Sequence, residues 1–279
     1  MHPIVNEIRN ALKGFYSDSE AFALAKMLLV EVFDFSTLEL YGGKDKEISG
    51  KRRDVLNEMI VRLQKNEPIQ YIIGSETFCG LTFEVNTDVL IPRPETQELV
   101  SWIIENYQSE EPVRILDVGT GSGCIPVSLS KFLCKAEVES WDISEGALEV
   151  AQRNCKRNNV NVLLRKKDVL TAVSEGIYYD AIVSNPPYIT EKEKEDMEAN
   201  VLDWEPYTAL FVPDEDPLLF YRKIAQLGRE ILKEGGSLFF EINRAYGEET
   251  LHMLKELGYC QVELKKDSWG NDRMIKAKR

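Results

Sequence analysis

Ile115-Leu116-Asp117-Val118-Gly119-Thr120-Gly121-Ser122-Gly123-Cys124-Ile125 reads as a short apolar strand, a glycine turn and the start of a helix. Glycines at alternate positions let a ligand approach the backbone where a side chain would block it. A tight structural turn asks for the same residues, so the segment alone leaves both readings open. The next strand ends on Asp142, about 20 residues further on, a spacing that suits a carboxylate accepting hydrogen bonds from ribose hydroxyls.

Outward from this turn, short apolar strands alternate with helical segments, the pattern of a parallel α/β sheet. Strands are expected at Val113–Val118, Ala136–Asp142, Val162–Lys166, Asp180–Ser184 and Gly236–Ile242, with two more near Gln261–Leu264 and Arg273–Ala277. The last two have hairpin lengths and predict an antiparallel edge on a parallel sheet. Ahead of the sheet, Ser19–Val30 and Asp54–Leu63 combine helix formers with apolar residues at three- and four-residue spacing. Gly42-Gly43 and Gly50 punctuate between them. The expected organisation is a small helical domain over 1–68, a linker over 69–95 whose stretch Glu76–Val85 alternates like a hairpin, and an α/β domain over 96–279. The mixed charge run Glu191–Glu198 reads as a solvated helix.

The net charge of −13 argues against a nucleic acid held through its phosphates, which needs a basic face. Lys51-Arg52-Arg53 and Arg165-Lys166-Lys167 are small clusters and read as solvated surface. No apolar run approaches the roughly 18 residues of a membrane span, and the amino terminus lacks a basic region followed by an apolar core. Cys79, Cys124, Cys134, Cys155 and Cys260 are odd in number and scattered, without a Cys-x-x-Cys pair. That spacing argues against a zinc site and a disulfide framework, and for a reducing compartment. The expectation is a cytoplasmic protein with no metal, no membrane and no stable nucleic-acid partner.

The glycine spacing separates two kinds of nucleotide. A dinucleotide wants its pyrophosphate at a helix start behind G-x-G-x-x-G. Here the spacing is Gly119-x-Gly121-x-Gly123, and Asp117 stands just before it. A carboxylate there repels phosphate and attracts an ammonium. S-adenosylmethionine carries a ribose, an ammonium and a sulfonium and no phosphate, so Asp117 suits the ammonium, Asp142 the ribose and Asp168 the adenine amino group. Any one of these aspartates alone reads equally as a helix cap. Three at successive strand ends favour a shared ligand edge, since open α/β sheets bind ligands beyond the carboxyl ends of their strands.

Ser184-Asn185-Pro186-Pro187-Tyr188 ends the fourth strand. The two prolines have fixed φ and no N–H, so their carbonyls remain as acceptors only. With the Asn185 amide oxygen and an aromatic ring they form a cradle for a flat –NH2 group. A plain strand-ending turn uses the same residues. His2 and His252 are the only histidines, neither near a motif, so no dedicated strong base is expected.

Gly-Thr-Gly-Ser-Gly followed by Asn-Pro-Pro-Tyr resembles the class I S-adenosylmethionine-dependent methyltransferases that modify planar amino groups. More narrowly, the chain resembles the peptide chain release factor N5-glutamine methyltransferase family. Further motifs shared with that family are Pro68–Gly74, Ile91-Pro92-Arg93-Pro94-Glu95-Thr96, Trp204-Glu205-Pro206-Tyr207-Thr208-Ala209-Leu210 and Phe220-Tyr221-Arg222. The resemblance implies a seven-stranded, mostly parallel Rossmann-like methyltransferase sheet behind a small helical domain. It implies S-adenosylmethionine contacts at Gly119, Thr120, Gly121, Ser122, Gly123, Asp142, Asp168, Val169 and Asn185. Asn185, Pro186, Pro187 and Tyr188 would hold the substrate glutamine, with Asn185, Pro186 and Tyr188 catalytic, and Tyr188 packed on the flat amide. Ile91, Arg93 and Glu95 would line or support the pocket. The implied substrate is the glutamine of the Gly-Gly-Gln loop in class I peptide chain release factors, docked by the helical domain. Val169 stands where relatives often carry a large aromatic, and the loop Val212–Pro217 replaces a more glycine-rich turn. The rival readings are methylation of a ribosomal protein glutamine or of an exocyclic amino group of RNA or DNA, and a non-catalytic adenosyl-ligand-binding module. The intact Asn-Pro-Pro-Tyr disfavours the last, since binding alone needs no amide cradle.

Overall fold

Local chemistry fixes where the first helices begin. Pro3, whose missing N–H is not needed in a first turn, opens α1 (Pro3–Leu12), and the His2 imidazole accepts from the Ile4 amide. The Ser17 hydroxyl accepts from the Glu20 amide and caps α2 (Asp18–Glu31). With α3 (Thr37–Gly42), α4 (Lys51–Leu63) and α5 (Ile69–Ile73), these helices bury Ile8, Leu12, Leu28, Phe33, Leu56 and Leu63 in one apolar cluster. In the computed structural model, which describes residues 1–42, 46–108 and 111–279, the chain divides into two units. Met1–Ser75 and Glu198–Trp204 form the first, and Glu76–Met197 and Glu205–Arg279 the second. Within the first unit the Trp204 indole donates to the Lys65 carbonyl at 3.2 Å. Gly43, half of the expected Gly42-Gly43 break, lies outside the described residues.

The second unit starts with the hairpin β1 (Ser75–Phe78) and β2 (Leu81–Glu84) and continues through α6 (Pro94–Tyr107) into the sheet. Its order in the chain is β3 (Val113–Val118), α7 (Cys124–Phe132), β4 (Ala136–Asp142), α8 (Glu145–Asn158), β5 (Leu163–Lys166), β6 (Tyr179–Ser184) and β7 (Ile189–Thr190). After α9 (Ala199–Leu202), which lies in the first unit, come α10 (Tyr207–Leu210), β8 (Phe211–Val212), α11 (Leu219–Ile231), β9 (Leu232–Glu241), α12 (Gly247–Glu256), β10 (Cys260–Lys266) and β11 (Asp272–Lys278). The seven main strands lie in the order β10-β11-β9-β6-β3-β4-β5. The five from β9 to β5 run parallel, and β11 pairs antiparallel with both β9 and β10. This is the expected mostly parallel α/β sheet with its antiparallel edge.

Side chains alternate across the strands. Val113, Ile115, Ala181, Val183 and Phe239 pack with Leu99, Ile103 and Val127 of α6 and α7 on one face. Leu116, Val118, Ile182, Leu238 and Phe240 pack with Ile224, Leu227 and Leu254 of α11 and α12 on the other. Both faces are covered, which is why these strands read as near-continuous apolar runs. Among the described residues no helix is long and apolar enough to cross a membrane.

One strand start and one helix expectation differ most in the fold itself. β9 begins at Leu232 rather than at Gly236, because Leu232 already pairs with Tyr179 before a register shift. Gly235, at φ 74°, lets the strand pass through that irregularity. The run Glu191–Glu198 is not a solvated helix. It is a short 3-10 turn over Glu191–Asp196, in which the Glu193 carboxylate accepts from the amide and hydroxyl of Thr190 and from the Asn243 amide group. The charge at Glu193 serves as a cap.

Gly228 of α11 faces the ring of Tyr259, whose hydroxyl donates to the Ala225 carbonyl at 2.8 Å. A Cβ at Gly228 would lie 2.5 Å from that hydroxyl oxygen. Glycine to alanine inside a helix ordinarily stabilises by about 1 kcal/mol, whereas forcing an extra methyl into a packed core costs about 1–3 kcal/mol. Gly228→Ala is therefore expected to lower the urea midpoint, and adding Tyr259→Phe should recover part of the loss. A midpoint raised by Gly228→Ala alone would show that the ring moves aside freely.

Candidate active site

Parallel register brings the site together. Val118 pairs with Trp141 of β4 and with Ser184 of β6, so three strands end level and Gly119, Asp142 and Asn185 become neighbours. Gly119, Gly121 and Gly123 take φ values of 88°, 51° and 82°, a region that side-chain-bearing residues rarely enter. A Cβ on Gly123 would sit 3.1 Å from the Ala151 Cβ, while Gly121 faces open space. The bare turn thus packs closely on α8 and leaves its backbone open to a cavity of about 350 Å³. Asn154 of α8 secures this arrangement. Its amide group donates to the carbonyls of Ser122 and Glu84, at 2.8 and 2.9 Å, and its oxygen accepts from the Glu84 amide at 2.6 Å.

The three aspartates occupy different environments. Asp142 lines the cavity and accepts from the amides of Gly121 and Ser144, at 2.9 and 2.8 Å. Burial raises its pKa, against the pull of those hydrogen bonds. Asp168 and Val169 also line the cavity, just past the end of β5, and Asp168 accepts from the Leu170 amide at 2.9 Å. Asp117 does not line it. Strand alternation sends its side chain to the same face as Val113 and Ile115, and the residue is fully buried. One carboxyl oxygen accepts from the Ser140 hydroxyl at 2.5 Å, and the other is buried without a partner. The Ser140 hydroxyl also lies 2.6 Å from the Thr120 hydroxyl, and with Asp117 ionised Ser140 accepts from it. Burial pushes the Asp117 pKa up to about 8, the nearby Asp142 charge adding to the rise and the Ser140 hydrogen bond opposing it.

Asn185, Pro186 and Pro187 line the cavity opposite the aspartates, together with Ile91 and Arg93. The Asn185 amide nitrogen donates to the Thr96 hydroxyl at 3.3 Å. Thr96 in turn donates to one oxygen of Glu241 at 2.6 Å, and the Tyr188 hydroxyl donates to the other at 3.3 Å. Tyr188 is therefore turned onto Glu241 and is not part of the cavity wall, contrary to the expected stacking on a substrate amide. Glu95 is not part of the wall either; it lies in the first turn of α6. The Ile91–Arg93 segment is held by Glu205, which is almost completely buried. One of its oxygens pairs with the Arg93 guanidinium and the other accepts from the Ile91 amide at 3.3 Å.

Four residues that matter to this geometry carried no assigned role in the sequence: Thr96, Asn154, Glu205 and Glu241. Thr96 and Glu205 sit inside stretches already singled out. The signal for Glu241 was a carboxylate closing the apolar run Leu238-Phe239-Phe240. Asn154 had no signal at all, being one polar residue on an ordinary helix.

The lining fits a phosphate-free adenosyl ligand. Asp142 keeps acceptor capacity toward the cavity and the turn glycines present backbone without side chains, while Asp117 is buried and is not part of the lining.

Comparison with known proteins identifies the family. Family models match a methyltransferase small domain over residues 96–203 and a PrmC N-terminal domain over residues 4–74. A release factor glutamine methyltransferase of Bacteroides thetaiotaomicron is 50% identical over 280 residues and covers 100% of both chains. One of Flavobacterium psychrophilum is 42% identical, covering 95% of this chain and 94% of its own. In fold, the chain is similar to a methyltransferase of Pyrococcus furiosus with a TM-score of 0.55 at 20% identity, covering 80% of this chain and 98% of the other.

Asp117 makes stability depend on pH in a definite direction. Its folded pKa lies above the ordinary carboxylate value, so the native chain keeps a proton that the unfolded chain releases between about pH 4 and pH 8. The contribution is most favourable below that window, declines as pH rises through it, and levels off above it. Asp117→Asn removes this titration. The variant's unfolding free energy relative to the wild type should therefore shift in the variant's favour between about pH 5 and pH 8 in urea titrations. A difference that stays constant over that range would mean that Asp117 is ionised in the native state.

Proposed function

The chain belongs to the release factor glutamine methyltransferase family, and from that premise we propose that it transfers a methyl group from S-adenosylmethionine to the side-chain amide nitrogen (N5) of the glutamine in the Gly-Gly-Gln loop of class I peptide chain release factors. The observation that carries this reading is the Asn185 amide, whose nitrogen is engaged by Thr96 and whose oxygen remains as an acceptor at a cavity wall continued by two prolines.

S-adenosylmethionine supplies a methyl group on a sulfonium, with a neutral thioether as leaving group. Asp142 would hold the ribose hydroxyls, Asp168 and Val169 the adenine, and the turn Gly119–Gly123 the amino-acid end. A carboxamide nitrogen is a poor nucleophile because its lone pair is delocalised into the carbonyl. The Asn185 oxygen and the Pro186 carbonyl would accept the two N–H bonds of the glutamine, orient its nitrogen toward the methyl group and favour the positive charge that builds on it. Orientation of this kind contributes several kcal/mol, roughly 7 to 11 at best. As the nitrogen–carbon bond forms and the sulfur–carbon bond breaks, the nitrogen proton becomes acidic and leaves to solvent. Arg93 and Ile91, pinned by Glu205, would support the wall on the substrate side. Tyr188, through its bond to Glu241, would support Asn185 from behind.

The helical first unit is proposed as the element that docks the release factor, and the cytoplasm as the place of action. α3 of that unit exposes Leu38 and Tyr41. Leu38→Asp with Tyr41→Asp should raise KM for the release factor several-fold, on the order of 1 kcal/mol or more, with kcat unchanged. An unchanged KM would move the docking surface away from α3.

Asn185→Ala should abolish turnover while leaving S-adenosylmethionine affinity within about tenfold, since the alanine keeps the backbone and loses only the acceptor. The assay incubates labelled S-adenosylmethionine with purified release factor, ribosomes, RNA or DNA and identifies what acquires the label. Label on ribosomes or nucleic acid instead of the release factor would overturn the substrate, and near-wild-type turnover by Asn185→Ala would overturn the role of Asn185.

A further inference from the structure

We propose that Thr96 and Glu241 are positioning residues that determine, through the single proton of the Thr96 hydroxyl, which end of the Asn185 amide is presented to the substrate. The inference rests on the glutamine-methylation reading and adds a switchable element to it.

Counting hydrogens fixes the direction of each bond. Thr96 has one hydroxyl proton and lies within hydrogen-bond reach of both Glu241, at 2.6 Å, and Asn185, at 3.3 Å. An ionised carboxylate can only accept. With Glu241 ionised, the Thr96 proton goes to Glu241, and Thr96 can only accept from Asn185. That fixes the Asn185 –NH2 toward Thr96 and reserves its oxygen for a substrate N–H. With Glu241 protonated on the oxygen that faces Thr96, the carboxylic acid donates to Thr96, and the Thr96 proton is released toward Asn185. The stable partner is then the amide oxygen, and the –NH2 faces the substrate –NH2, donor against donor.

The sheet places these groups together without any contribution from neighbouring sequence. Ser184 pairs with Phe240 in the parallel β6/β9 register, so Asn185 and Glu241 each lie one step beyond that pair. Thr96 comes from the first turn of α6, 145 residues before Glu241. All three are held tightly: Thr96 and Glu241 are almost completely buried, and Pro186 follows Asn185 directly.

The charges facing Glu241 come from several elements. Arg273 of β11 favours ionisation, while its guanidinium also donates to the Ile242 carbonyl and pairs with Asp267. Glu95 of α6 opposes ionisation. Tyr188 donates to Glu241, and Tyr221 of α11 and Cys124 of α7 lie within its electrostatic reach. The balance leaves Glu241 raised above the ordinary glutamate pKa, chiefly by burial, with the Thr96 hydrogen bond and Arg273 opposing. Its proton is therefore exchanged at a higher pH than that of a surface glutamate.

The test compares Thr96→Val, Thr96→Ser and Glu241→Gln in the full chain, with purified release factor and labelled S-adenosylmethionine. Thr96→Val, which can neither accept nor donate, should lower kcat about 100-fold. KM for the release factor and Kd for S-adenosylmethionine should stay within about threefold of wild type. Thr96→Ser keeps the hydroxyl and should restore kcat to within about threefold of wild type. The wild-type kcat should decline as pH is lowered through the Glu241 titration, and Glu241→Gln should lose that acid limb. A Thr96→Val kcat within threefold of wild type, a Thr96→Ser variant as impaired as Thr96→Val, or an acid limb retained in Glu241→Gln would each overturn the inference. A wild-type protein that leaves the release factor unlabelled would overturn the reading beneath it, which keeps the two failures distinct.

Discussion

Everything in the site depends on parallel strands ending at the same level. Val118, Trp141 and Ser184 are register partners, so the turn after β3, the carboxylate ending β4 and the amide after β6 share one edge. Because side chains alternate with a period of two, a one-residue slip of β6 would send Asn185 to the opposite face and bring Pro186 to its place. The Ser184 hydroxyl, donating to the Val118 carbonyl at 2.6 Å, adds a side-chain pin to the backbone ladder where a slip would do most harm. The same register carried one strand further sets Glu241 behind Asn185. A single geometric relation therefore sets both the cavity edge and the group behind it.

A second theme is the use of carboxylates away from water. Asp117, Glu205 and Glu241 are almost completely buried, and each is raised in pKa by that burial. Burying a charge without partners is expensive, so each one is tied to a specific donor: Ser140, Arg93 or Thr96. Such pairs add little to stability compared with apolar side chains of the same volume. What they contribute here is direction. Ser140 and Thr96 each have one proton, and once it is given to a carboxylate the hydroxyl can only accept from the next group along. Polarity is passed from a buried acid to the cavity edge in two separate places, through Thr120 and through Asn185.

Much of this was legible in the sequence, for a physical reason. The period-two and near-continuous apolar runs gave the strands, and Ala136–Asp142 and Val113–Val118 match β4 and β3 at both ends. Asp142, Asp168 and Asn185 were readable because a residue at the carboxyl end of a strand is placed by the strand itself. Asp117 was read as facing the ligand, yet it lies one residue short of the strand end, and alternation carries it into the core. Tyr188 was read as a stacking ring, but the Glu241 carboxylate captures its hydroxyl. Thr96 and Glu241 escaped because their partnership spans 145 residues and two different elements, and no local pattern encodes such a distance. Asn154 escaped for a related reason: its work is to replace a missing strand neighbour for Glu84, which only the packed hairpin reveals.

Under the proposed function, the chemistry of the wall would select the nucleophile. Asn185 presents an oxygen, and Pro186 and Pro187 present carbonyls and have no N–H to offer. A group that enters this wall must therefore bring donors. A carboxylate would meet acceptors only and be repelled, and a hydroxyl would leave one acceptor unpaired, at a cost of about 1–3 kcal/mol. A planar –NH2 satisfies two acceptors at once, and its attraction to them increases as positive charge builds on nitrogen during methyl transfer. In the proposed reaction the wall would recognise the amide and stabilise its transition state with the same two bonds. On that proposal a chain with two histidines, both far from the motifs in sequence, would need no general base to methylate a nitrogen this weakly nucleophilic.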